Sequence, residues 1–565
     1  MVSFRSAVFV SALTLLALQT FAQSAAPAAP FDIVITGGHI LDGTGSPWYA
    51  ADIGIRAGKI AAIGKLDGDN RRQTIDAHGQ IVAPGFIDML GQSELNLLVD
   101  PRVPSKIFQG ITTEITGEGD SVAPLNAQMI ADNASDYAHL HIEQDWTTLA
   151  QYFARLERQG IGINFATYVG ETGIRRIVLG DGDVQPTPAQ LDQMRAMVAQ
   201  AMRDGAMGLS TSLQYAPAPY AKTAEIAALA SVAGQYGGIY ATHIRSESDQ
   251  ILPALDEAAS IGRQAHTSVE IWHLKAAGHA NWGRMPEIVA RIDQYRAQGL
   301  DIAADTYAYT AWGNPLSAFI PPWAHAGGTD AMLARLKAPA MRSRIRQDLL
   351  QTHSNWDNEW QEISGPQDVL ITDVGDPALR PLLGKRLSQV AAQWHEDPID
   401  ALCDLLTRDH ADTEVAVFAM SEPDVELALK QPWVSIDNDA GGVSPDGLLG
   451  QQHTHPRAYG TFPRILRKYV RQDHLLTLPD AIRKFSALPA ERLHLADRGV
   501  LKLGLAADIV VFDPSTIQDQ ATYENPNQLS TGMDFVLVNG VPVIAHGQMT
   551  AALPGKVLRG PGYRP

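Results

Sequence analysis

Apolar residues recur with two different periods along this chain. Near both ends they alternate with polar ones, as in Asp32-Ile33-Val34-Ile35 and Ala51-Asp52-Ile53-Gly54-Ile55. That period-two pattern predicts half-buried strands. Ala57-Gly58-Lys59 marks a turn before Ile60–Ile63, and Ala507–Phe512 reads as another strand. Phe535–Val538 and Val541–Ile544 flank Asn539-Gly540, the strongest two-residue hairpin signal because both positions tolerate positive φ. The two ends therefore predict one shared β-domain, 31–82 with 495–565. Between them, short apolar runs alternate with amphipathic helices, which implies parallel βα units. One helix is well punctuated: Thr187 caps it, Pro188 opens it, Leu191, Met194, Val198 and Met202 share a face, and Gly205 ends it. Another helix starts near Thr223. Strands are expected from about Val82, Thr112, Ile163, Met207, Gly238, Val269, Asp301 and Val434. Eight strands alternating with helices predict an α/β fold of the (β/α)8, TIM-type barrel class over 83–494. The long interval after Asp305 predicts an insertion at about 315–430, since structureless loops of that length are uncommon.

Composition narrows the chemistry. The 565 residues carry 44 Lys+Arg and 62 Asp+Glu, a net charge of −18. An acidic balance argues against nucleic-acid and anionic-membrane surfaces. Cys403 is the single cysteine, so intrachain disulfides and cysteine-rich metal sites are excluded. Arg5 followed by the apolar run Ala7–Leu18 and the small-residue site Thr20-Phe21-Ala22 reads as a secretory signal over 1–22, with a leader at 23–30. An exported, periplasmic protein without a stable membrane anchor is expected.

Catalytic groups of such barrels stand at the C-terminal ends of strands. The runs here end in His243, in His273-Leu274-Lys275, in Asp437-Asn438-Asp439, and in Gly117-Glu118-Gly119-Asp120. His243 and His273 lie one βα unit apart. Two imidazoles and one carboxylate form the ligand set of an open catalytic zinc site. A single histidine at a strand end would more often be a satisfied core residue; two at equivalent ends reverse that weighting. Asp120 and Glu247 read as solvated or structural acids. His139-Leu140-His141 reads as surface. His453-Thr454-His455 lies in the loop after the last strand.

Ala83-Pro84-Gly85-Phe86-Ile87-Asp88, Ala241-Thr242-His243-Ile244-Arg245 and His273-Leu274-Lys275 together resemble the amidohydrolase superfamily. His455-Pro456-Arg457-Ala458-Tyr459-Gly460-Thr461-Phe462-Pro463-Arg464 is similar to the signature of its D-aminoacylase (N-acyl-D-amino-acid deacylase) branch, as is Arg498-Gly499 with Ala507–Pro514. The resemblance runs from about Phe31 to Val557. It implies a metal-dependent barrel plus a small β-sandwich from both chain ends. It also implies metal binding by His243 and His273, and Asp439 as the catalytic aspartate. Lys275, Tyr215 and one of Tyr307 or Tyr309 match contacts to the substrate carboxylate. Two departures stand out. The family's His-x-His becomes Leu90-Gly91-Gln92, and its cysteine ligand falls on or beside Gly119, leaving Glu118 as the neighbouring donor. One zinc per chain, held by Glu118, His243 and His273, is expected. The implied reaction is hydrolysis of N-acyl-D-amino acids with Asp439 as general base and acid. The alternatives are a dipeptidase acting on D-Xaa or imino dipeptides and a catalytically dead binding homologue.

Overall fold

The computed structural model describes residues 1, 29–352 and 356–564. The expected signal, 1–22, lies outside the described residues except for Met1, and so does the leader except for Ala29 and Pro30. No described helix is long and apolar enough to cross a membrane.

The alternating segments of both ends share one nine-stranded sheet. Phe31–Ile40, Tyr49–Arg56 and Lys59–Gly64 form its N-terminal part, and Ile509–Phe512, Met533–Val538 and Val541–Ala545 its C-terminal part. Asn539 and Gly540 take φ of 49° and 78° and turn the hairpin between Met533–Val538 and Val541–Ala545, whose strands pair antiparallel. Ile33, Ile35, Ile53 and Ile55 from one end pack with Ile509, Val511 and Leu537 from the other. This packing buries the alternate positions that the sequence pattern marked.

One strand differs from expectation. The run beginning at Val82 splits at Gly85. Ile81–Pro84 pairs antiparallel with Ile509–Phe512 in the end sheet, whereas Phe86–Asp88 pairs parallel with Ile111–Thr116. The break has a steric cause: a Cβ on residue 85 would sit 2.2 Å from Thr112 Oγ1. Only glycine allows the chain to cross so close to its neighbour while changing sheets.

Parallel strands form the middle of the molecule. One sheet holds Phe86–Asp88, Ile111–Thr116 and Asn164–Thr167. The other runs Val169–Gly170, Gly208–Ser212, Ile239–His243, Val269–Ile271, Ile302–Thr306 and Val434–Ile436 in spatial order. Backbone hydrogen bonds join the sheets at both edges, Met89 N–H to Ile436 O (3.3 Å) and Met207 N–H to Thr167 O (2.9 Å). The residues of these strands are buried throughout, as expected of parallel strands covered by helices. Helix Pro188–Asp204 has the Thr187–Gln190 capping box and ends at Gly205 with φ 117°; Met194, Val198 and Met202 are buried. The insertion carries its own antiparallel sheet of Trp312–Pro315, Val369–Asp373 and Glu414–Val417. Cys403 is buried in the helix Pro398–Arg408.

Candidate metal centre and active site

The strand ends converge on one cavity of about 400 Å³. His243 closes the strand Ile239–His243. His273 and Asp439 stand just beyond their strands with φ of 38° and 47°. Non-glycine residues in that region cost on the order of 1–3 kcal/mol and persist only where surrounding contacts over-determine them. Here the His273 N–H donates to Asp305 Oδ1 at 2.6 Å and the Asp439 N–H donates to Leu90 O at 2.8 Å. Glu118 is presented between Gly117 and Gly119, both with positive φ.

Glu118, His243 and His273 each offer one ligand atom, all within 4.8 Å of one another. Glu118 Oε1 is 3.0 Å from His243 Nδ1 and 3.2 Å from His273 Nε2. The remaining ring nitrogens are already engaged. Gln214 Oε1 lies 2.8 Å from His243 Nε2; as a pure acceptor it fixes the proton there and leaves Nδ1 as a lone pair. His273 Nδ1 is faced by two groups, Glu247 Oε1 at 2.9 Å and Lys275 Nζ at 2.7 Å; paired with the carboxylate it carries the proton and leaves Nε2 to a metal. Carboxylate or amide partners behind the imidazoles are the usual arrangement of metal-ligating histidines. Two imidazole nitrogens and one carboxylate oxygen, with room for a further ligand, fit a catalytic zinc.

The electrostatics agree with a cation at this place. Burial and Lys275 press His273 down, but the Glu247 and Asp439 carboxylates and the hydrogen bond to Glu118 outweigh them and push it up to about 10; in that charged form Nε2 holds a proton, whose place a metal ion would take. Burial alone would raise Glu118; the hydrogen bonds from both histidines hold it well below the usual carboxylate range.

Asp439 lies beside this cluster. Burial raises its carboxyl above the ordinary value, and the Arg457 guanidinium opposes that rise. Arg457 Nη1 stands 2.7 Å from Asp439 Oδ2. Gln92 donates from one amide nitrogen to both Glu118 Oε2 and Asp439 Oδ1, 3.1 Å each. Lys275 Nζ contacts both oxygens of Glu247 at 2.7 and 2.8 Å. Tyr215 lines the cavity, with its ring 5.1 Å from that of His243. Tyr307 packs beneath Lys275 and Arg457, 5.7 and 4.9 Å from its ring centroid. Tyr309 turns away, against His455, and directs its hydroxyl to Pro456 O.

Several residues escaped the sequence reading. Glu247 is no solvated acid: it is 7% exposed and braces both His273 and Lys275. Its only sequence signal was its place four residues after His243. Gln92 and Arg457 were visible within quoted motifs but carried no assigned role there. Asp120 is exposed, as expected. His139 and His141 are also exposed. His455 is buried and accepts the Arg457 N–H at 3.0 Å, so it shapes the turn that presents Arg457. A Cβ on residue 119 would lie 2.4 Å from Ser212 Cβ; the position beside Glu118 therefore has no space for a side chain.

Comparison with known proteins gives three consistent results. The profile described as "Amidohydrolase family" matches residues 442–544. The chain is 35% identical to an N-acyl-D-glutamate deacylase of Alcaligenes xylosoxydans xylosoxydans, over 94% of this chain and 96% of that protein. Two solved structures each cover 94% of this chain and 100% of their own. One is an N-acyl-D-glutamate deacylase of Bordetella bronchiseptica, complexed with zinc and a phosphonate mimic of the tetrahedral intermediate, with TM-score 0.78 and 34% identity. The other is a D-aminoacylase with TM-score 0.77 and 32% identity, whose binuclear metal centre is described as showing one-metal activation and second-metal attenuation.

Proposed function

The chain belongs to the D-aminoacylase (N-acyl-D-amino-acid deacylase) family of amidohydrolases, and from that membership we propose that it hydrolyses the amide bond of N-acyl-D-amino acids with a single zinc ion. As a member it is a metal-dependent amidohydrolase acting on amide bonds. The parallel strands, hydrogen-bonded at both seams, and the sheet shared by both ends support the barrel-plus-sandwich reading of its domains. The leader composition supports export.

The observation that carries the proposal is the convergence of Glu118, His243 and His273 beside Asp439. Bound between those three donors, zinc supplies Lewis-acid polarisation of the amide carbonyl and acidifies water. Asp439 accepts the proton of the attacking water and delivers it to the leaving amine nitrogen. Arg457 and Gln92 hold that carboxylate in place. Lys275 and Tyr215 line the cavity where a substrate carboxylate would be held, and fixing it aligns the scissile bond for attack; Tyr307 only backs Lys275 from beneath, with its hydroxyl turned to Met420 Sδ. Tyr309 is not assigned this role, because its hydroxyl is committed elsewhere.

Gln92 supports a mononuclear centre. Its amide bridges the ligand Glu118 and the base Asp439, and an N–H donor in that position offers no lone pair to a second cation. Side-chain preference is not carried over from relatives that act on N-acyl-D-glutamate, because the cavity wall here is itself acidic. The test is hydrolysis of paired D and L N-acetyl amino acids and dipeptides, with and without chelator. Chelator-sensitive turnover of the D members is expected. Activity confined to L substrates, or unaffected by chelator, would refute the proposal.

A further inference from the structure

Much of the cavity wall comes from the insertion. It contributes Trp312–Pro315, Asp357, Glu362 and Glu414. The acids of the wall are Glu118, Glu247, Asp357, Glu362, Glu414 and Asp439, against Lys275 as the one lysine or arginine lining it. Most of these acids are matched. Glu118 faces the two histidines, Glu247 takes Lys275, and Asp439 takes Arg457. Asp357 accepts from the Ser246 and Ser248 hydroxyls and from the Glu247 N–H.

Glu362 and Glu414 remain. Glu362 is 6% exposed, and its Oε1 has no hydrogen-bond partner. Glu414 has no hydrogen bond or ion pair from its carboxylate among the described residues. Asn314 stands with them, 4% exposed. Its amide nitrogen is given to Glu359, so its Oδ1, also without a partner, is a third acceptor. Glu414 is half-buried, whereas a fully buried acceptor left unpaired, as in Glu362 and Asn314, costs free energy. Burial, then neighbouring Asp357 and Glu359, push Glu362 well above the carboxylate range. Burial and Asp373 push Glu414 up to about 8, against the opposing pull of Arg457. Ser248 is the one hydroxyl that reaches Glu362, so two carboxyls and an amide oxygen with so few protein donors are the complement of a group that brings several N–H donors and a positive charge.

We propose that Glu362, Glu414 and Asn314 form a subsite for a cationic group of the substrate. The preferred amide would then carry an ammonium or guanidinium group. That chemistry has two sources: the free α-ammonium of an aminoacyl group, as in a dipeptide, or the basic side chain of the D residue. The inference rests on the amide-hydrolysis reading for its substrate scaffold.

Two matched pairs test it: glycyl-D-leucine against N-acetyl-D-leucine, and N-acetyl-D-lysine against N-acetyl-D-norleucine. Each pair is read as kcat/KM with the zinc-loaded wild type and as affinity by calorimetry with zinc-loaded Asp439→Asn. At least one cationic member should exceed its neutral partner by about tenfold, the equivalent of about 1.4 kcal/mol. The pair that responds identifies the source. Glu362→Gln and Glu414→Gln should erase that preference and leave the neutral member unchanged within about threefold, a shift of about 0.65 kcal/mol. Equal or better use of the neutral member in both pairs overturns the proposal, as does an equal loss for both members in the variants. If nothing is hydrolysed the reaction assignment fails, yet the calorimetric preference still decides the subsite. If a variant does not fold, the wild-type pairs decide it alone.

Discussion

Replacing Glu247 by glutamine removes one negative charge from the back of the metal cluster while keeping the side chain's shape. The carboxylate stands 2.7 and 2.8 Å from Lys275 Nζ and 2.9 Å from His273 Nδ1, and it is 7% exposed. Lys275 holds it well below the usual carboxylate range despite burial, with His243 and His273 adding to the effect. At an effective dielectric of about 20, a unit pair at this distance attracts by about 6 kcal/mol. Desolvation of both ions offsets much of that, so the pair adds little net stability, yet stripping one partner costs about 3–5 kcal/mol. Glutamine keeps one acceptor, so the loss should fall at or below the lower end. The metal site is affected separately. Loss of a carboxylate behind a ligating imidazole costs about 10–100-fold in metal affinity. Thermal melting of the metal-free protein and zinc competition against a chromogenic chelator separate the two effects. Glu247→Gln should lower both the melting midpoint and the zinc affinity. The double variant Glu247→Gln/Lys275→Met should recover the midpoint, because no unpaired ammonium is left buried, but not the affinity. Wild-type zinc affinity in the single variant, or affinity that returns together with stability in the double, would refute the assignment of Glu247 as the His273 partner.

Two other substitutions probe the centre. Asp439→Asn should retain zinc by elemental analysis while kcat falls by about 10²–10⁴-fold, the usual contribution of a general base; retention of most activity removes Asp439 from that role. Gly119→Cys places a Cβ 2.4 Å from Ser212 Cβ at φ 65° and should cost about 1–3 kcal/mol in overpacking. It should create no thiolate ligand, so a sulfur-to-metal charge-transfer band in the cobalt-substituted variant would contradict the placement.

Legibility in the sequence followed locality. Apolar runs that end in His243, His273 and Asp439 are local patterns, and the fold brings those residues together. The Asn539-Gly540 hairpin and the Thr187-capped helix were readable for the same reason, since cap and turn chemistry act within a few residues. Glu118 also stands at the end of an apolar run, but its choice as the candidate donor came through the family resemblance and the missing cysteine. Gly85 concealed a change of sheet inside one continuous apolar run, because its cause is contact with Thr112, 27 positions away. Glu247 reads from sequence as a solvated or structural acid because its burial depends on the insertion: Asp357 accepts the Glu247 N–H at 2.8 Å across 110 residues. Glu362, Glu414 and Asn314 were invisible as a group, since only tertiary packing of the insertion against the parallel strands assembles them on one wall.

The central claim is one catalytic zinc held by Glu118, His243 and His273. Its most direct test is titration of the metal-free protein with zinc while following deacylation of an N-acetyl-D-amino acid. Activity should rise linearly to one equivalent per chain and then level, and Glu118→Ala should abolish the break point. A rise that continues to two equivalents, or full activity without added metal, would contradict the account.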